Sequence, residues 1–244
     1  MGTEQIELGV TSDEEGVMDH DVRDRRIGRA AWVMAWVGLV VGQFHAMSRH
    51  NTADGSSDLE SWTTRVWSDP ARDFFSPLLE WASADTVYLT YGKIWFPVFA
   101  AFTACAFVLY QRRRPTGFEK FAWRFALVVY VWGVLAVFVT YWTHWTHTTE
   151  LLDLAFLFLD IPAVLLGWLG STMLGITLIV RGYRPRATGW LIALTFPLAM
   201  VISEITSLGS AALPEMFAFG IAGHQLSRSL RQKEVQTTLS GSRA

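Results

Sequence analysis

Seven ionisable side chains could do chemistry together in this sequence: His45, Lys93, His144, His147, Asp153, Asp160 and Glu204. Each stands in or beside an apolar run. A charge at such a depth in a membrane costs about 2.5–3.5 kcal/mol even on the lenient insertion scale, so it normally faces other helices and a partner. Three chemistries fit the set. Lys93 can neutralise Asp160 or Glu204 while His45 hydrogen-bonds to the remaining carboxylate, giving a structural cluster or a ligand pocket. Alternatively His45, His144, His147, Asp160 and Glu204 supply imidazole and carboxylate ligands for a divalent metal, with one position open to water. A metal-assisted or acid/base enzyme would then use Asp160 or Glu204 as the general acid/base and His45 as ligand or relay. Against metal stand the absence of an HExxH motif and the nearby Lys93. Haem fits poorly, because paired axial histidines need matching depth and only His45 lies well within a span.

The elements that must position these groups follow from composition. The chain has 244 residues, 51% hydrophobic and 17% charged, with a single cysteine. Soluble domains carry roughly a quarter charged residues. One cysteine excludes an internal disulfide framework, and a net charge of -2 points away from nucleic acid. Long apolar runs imply an all-α integral membrane bundle, since a bilayer core of ~30 Å needs about 20 such residues per helix. Six spans are expected, at about 28–47, 88–111, 121–143, 151–180, 187–207 and 211–227. They make a transmembrane domain over residues 28–230.

Charge orients the bundle. Sixteen of the twenty basic residues fall in the N-terminal tail and first helix start, the second and fourth connections, and the C-terminal tail. Only Arg49, Arg65, Arg72 and Lys93 fall on the other face. The positive-inside rule therefore places both termini in the cytoplasm, in a plasma membrane. Arginine dominates the basic residues, and Ala, Val and Gly are abundant, as in a GC-rich bacterium. Residues 1–27 carry eight acidic residues and no apolar core. They read as a disordered acidic tail rather than a signal peptide. Residues 231–244 read as a second tail.

The first outer connection, residues 48–87, holds Leu59, Trp62 and Val66 at helical spacing, then Asp69-Pro70 as a helix start before Phe74, Phe75, Leu78 and Leu79. That pattern predicts two short amphipathic helices at the outer interface. At ~1.5 Å per residue, His45, Lys93, Asp160 and Glu204 lie about 26–30 Å above the inner boundary, on four different helices. They are expected to line one outward-opening cavity, with His144, His147 and Asp153 at its mouth. Asp153, Asp160 and Gly167 recur at seven-residue intervals, so this stripe should face other helices. Pro162 should kink or loosen its helix. Transport ranks lower, because the midplane lacks charge where broken-helix transporters place their sites. The favoured expectation is a small-molecule- or lipid-binding protein or accessory subunit, alone or in a homo- or hetero-oligomer. Its partners would be membrane lipids and a lipophilic molecule reached from the outer leaflet.

Overall fold

A computed structural model of the chain describes residues 4–143, 154–206 and 208–241; no strand occurs among them. The helices are α1 (Glu4–His50), α2 (Trp62–Phe74), α3 (Ser76–Leu79), α4 (Ala84–Gly92), α5 (Trp95–Arg113), α6 (Gly117–Trp142), α7 (Ile161–Val180), α8 (Arg186–Ala193), α9 (Thr195–Ile205) and α10 (Leu213–Gly241). Short 3-10 segments cover Asp54–Glu60 and Leu208–Ala212, and a π turn covers Phe156–Asp160.

Four stretches are long and apolar enough to cross a membrane: His20–His50, Ala84–Arg113, Gly117–Trp142 and Phe156–Val180. α8 and α9 make a fifth if the pair, bent by 67° at the break between them, counts as one span. α10 does not join them, because its apolar residues end near Leu226 and polar ones follow. The described chain is thus an all-helical protein with four to five candidate membrane spans.

α1 and α10 pack through small residues. Gly28 and Gly223 bring their backbones together, and Gly220 lies against Ala31, Trp32 and Ala35. A Cβ at Gly28 would collide with the Gly223 carbonyl, so both glycines are needed for this close approach. Higher up, Gly38 meets Met216 and Val98, and Gly42 meets Trp95. The core continues through Phe102, Trp123, Tyr130 and Phe219, which pack as rings.

Several local expectations change. α1 begins at Glu4, well ahead of residue 28, and takes in most of the acidic segment. Near its membrane end, Asp21 and Asp24 pair with Arg112, which ties α1 to the end of α5. Burial pushes the phenol of Tyr183, in the connection after α7, up to about 12, and Arg113 lies over its ring. Asp69-Pro70 does not start a helix. α2 runs through Pro70, because the one carbonyl that loses its donor belongs to Val66, on the exposed face. The loosening expected at Pro162 takes the form of the π turn immediately before it, with Pro162 in the first turn of α7.

Candidate functional site: a two-ended cavity among the helices

A cavity among the helices has a volume of about 450 Å³. Its walls come from α1, α4, α5, α6, the π turn, α7 and the approach to α10. Most of its lining is aromatic and aliphatic, and its polar groups gather into two sets, called outer and inner after the orientation expected from charge.

His45 anchors the outer set. It is only 1% exposed and is caged by aromatic rings. Tyr88 stacks on it at 4.6 Å, while Tyr141 and Trp95 meet it edge-on at 5.3 and 5.9 Å. The indole Nε1 of Trp95 donates to His45 Nδ1 at 3.1 Å. A neutral imidazole whose Nδ1 accepts carries its proton on Nε2. That Nε2 has no hydrogen-bond partner among the described residues.

The cage depends on the break between α4 and α5. The helix tightens there, with Lys93 N–H donating to the Thr90 carbonyl and Ile94 N–H to that of Tyr91. Gly92 sits at this break with the Tyr141 ring directly against its backbone, where a Cβ would collide. Only glycine lets Tyr141 reach the Tyr88 hydroxyl, 3.3 Å away, and the His45 ring.

Asp160, at the end of the π turn, accepts from the Thr140 hydroxyl at 2.6 Å. Arg49, one turn beyond His45, donates to Asp58 at 2.9 Å and lies within electrostatic reach of Tyr88. Asp85 also borders this end.

The inner set is built on Glu215, in the first turn of α10 and 5% exposed. Ser171 donates to Glu215 Oε1 at 3.1 Å, and Ser171 shares a hydrogen bond of 2.9 Å with the Tyr130 hydroxyl. Glu215 Oε2 has no partner among the described residues. Because Met216 packs on Gly38, Glu215 lies ten residues, about 15 Å, along α1 from Gly28. It is therefore half-way along the apolar length of the bundle.

Of the expected site residues, His45 and Asp160 both border this cavity, as does Gly167. Lys93 and Glu204 are not in its lining. Lys93 stands at the α4–α5 break, where its backbone carbonyl accepts from the Trp142 indole at 3.0 Å. Glu204 is carried off by the bend between α8 and α9 and is exposed; its carbonyl accepts from the hydroxyls of Thr63 and Thr64 at 3.1 and 3.2 Å. His144, His147 and Asp153 lie outside the described residues. Among the described residues, no three His, Cys, Asp or Glu side chains come together as a metal site.

Glu215 corrects the expectation of an uncharged midplane. It stands near the start of the expected span 211–227, which would put it at an outer helix end. The Leu208–Ala212 segment and the bent α8–α9 pair instead start α10 deep in the bundle. A usable signal was present, since Gly220 and Gly223 match the small residues of α1 and fix the depth of Glu215 once paired. Gly167 was expected to permit a close helix approach. A Cβ there would meet only Val129, at 3.9 Å, so Gly167, like Asp160, faces the cavity. Comparison with family models, with curated proteins and with solved structures finds no match for this chain.

Proposed function

We propose that this is a six-span plasma-membrane protein, both termini cytoplasmic, that binds an amphipathic small molecule in the cavity between its helices. The observation that carries this reading is a cavity of about 450 Å³ with apolar walls and a few polar groups at each end. Such a volume and lining suit a small-molecule site, where apolar contact supplies affinity and a few polar groups fix orientation.

The six spans would be α1, the α4–α5 pair, α6, the π turn with α7, the bent α8–α9 pair, and the apolar half of α10. The basic residues of the alternate connections support this orientation. α2 and α3 would lie at the outer interface. Trp62, Val66, Phe74 and Leu78 are exposed at four-residue steps, with Pro70 completing the row. An apolar ridge of that kind is suited to the headgroup boundary.

Filling the cavity tests the binding reading. Gly167→Leu puts a branched side chain into open space without meeting the backbone of a neighbour. Wild-type protein purified in nanodiscs is expected to retain an amphipathic molecule that organic extraction and mass spectrometry detect. Gly167→Leu is expected to fold, by its tryptophan emission and gel-filtration profile, and to lose that molecule. Indistinguishable extracts from the two proteins would count against the cavity as the binding site.

A further inference from the structure

The lining of the cavity carries several acids, and the deepest has no counter-ion among the described residues. Glu215 is almost completely buried, one carboxyl oxygen engages Ser171, and the other has no hydrogen-bond partner among the described residues. No Arg, Lys or His lies within ion-pair distance of Glu215 or Asp160 among the described residues. Among the described residues the one Arg or Lys in the lining is Arg49, and its guanidinium is already paired with Asp58.

An ionised carboxylate without a partner in an apolar interior is strongly disfavoured. A bound molecule that brings the missing charge removes that penalty. The walls favour the same kind of molecule. Tyr88, Trp95, Phe99, Phe102, Tyr130 and Trp168 border the cavity. The faces of such rings attract cations, most strongly where water is excluded.

Resting on the binding reading above, we propose that the ligand is a lipophilic cation, an amine or onium ion with a bulky apolar body. Its charge is met by Glu215 at the inner end, Asp160 adds negative charge at the outer end, and its body is held by the aromatic walls. The competing chemistry is a neutral ligand whose carbonyl or oxide accepts a hydrogen bond from a protonated Glu215.

Three compact aryl probes separate these cases: tetraphenylphosphonium (cationic), tetraphenylborate (anionic) and triphenylphosphine oxide (neutral, a hydrogen-bond acceptor). Binding of radiolabelled tetraphenylphosphonium is measured on the full chain in nanodiscs, with empty nanodiscs as background. It is expected to be saturable and to be displaced by neither the anion nor the oxide. Glu215→Gln is expected to weaken it about tenfold or more, as for loss of a charged hydrogen-bonding partner, Asp160→Asn to weaken it less, and Gly167→Leu to abolish it.

Equal competition by triphenylphosphine oxide or tetraphenylborate overturns the cationic ligand and leaves the cavity reading standing. So does unchanged affinity in both acid-to-amide variants. Should Glu215→Gln fail to fold, Asp160→Asn and the three probes on wild-type protein decide the matter. If no probe binds saturably and Gly167→Leu loses no co-purified molecule, the binding reading itself falls.

Discussion

The orientation of His45 rests on one hydrogen bond. Trp95 holds Nδ1, while Tyr88, Tyr141 and Trp95 fix the plane of the ring. Trp95→Phe keeps a ring at this position and removes the donor. Leaving a buried acceptor unsatisfied costs about 1–3 kcal/mol. The variant is therefore expected to unfold at a lower temperature, followed by circular dichroism in detergent. It should also weaken any ligand that touches the outer polar set. An unchanged melting profile would mean that packing alone orients the imidazole. At this scale the sequence was informative about depth and poor about direction. His45 and Asp160 were found by counting residues from helix ends, and both border the cavity. Lys93 passed the same count and is not in the lining; it stands at the tightened turn Gly92–Ile94, where the helix face is rotated. Depth follows from a fixed rise per residue, whereas direction accumulates every local departure from 3.6 residues per turn.

Broken helices do the positioning at the scale of elements. The α4–α5 break brings Tyr141 onto Gly92, the π turn carries Asp160 to Thr140, and the α8–α9 bend moves Glu204 outward to meet α2. The last contact has a testable consequence. Thr63 and Thr64 donate to the carbonyl of Glu204, and the Trp67 indole donates to that of Ile205, so α2 satisfies the C-terminal end of α9. Replacing both threonines by valine keeps their shape and removes the two hydroxyl donors. Amide hydrogen exchange is expected to accelerate in residues 62–74 and 195–205, for a local cost of about 1 kcal/mol. Unaltered exchange in both segments would show that α2 is held by its apolar packing instead. The sequence signalled only part of this scale. Pro162 marked the π turn beside it, but Pro70 suggested a helix start that did not occur. Proline removes one donor, and whether a helix ends there depends on where the orphaned carbonyl points.

For the whole molecule, the asymmetry of charge makes a claim about topology that labelling checks. In a Cys105→Ala background, Ala82→Cys in the first outer connection is expected to react with a membrane-impermeant maleimide on intact cells. Ser242→Cys, in the C-terminal tail, is expected to react only after lysis. Labelling of Ser242→Cys on intact cells would break the proposed orientation. The same scale bears on transport. The absence of charge at mid-depth, the reason for ranking transport below binding, does not survive the position of Glu215 in the first turn of a helix that starts inside the bundle, after a bent helix pair. Binding is the first step of either activity, and the probe experiment addresses that step.

The sequence by itself determined that this chain is helical and built of membrane-length apolar segments. It also singled out His45 and Asp160, both of which border the cavity. Those features depend on composition, on the number of apolar residues in a run and on a fixed helical rise, and all three are local. Only the tertiary structure decided which carboxylates border the cavity. Glu215 entered the cavity, Glu204 left it, and the aromatic cage closed on His45. Each of these outcomes depends on where a helix breaks and how closely two backbones approach. Pairings such as Gly28 with Gly223 and Tyr141 with Gly92 join residues far apart in the chain. No local pattern records such pairings, because the energy that selects them comes from packing the assembled helices.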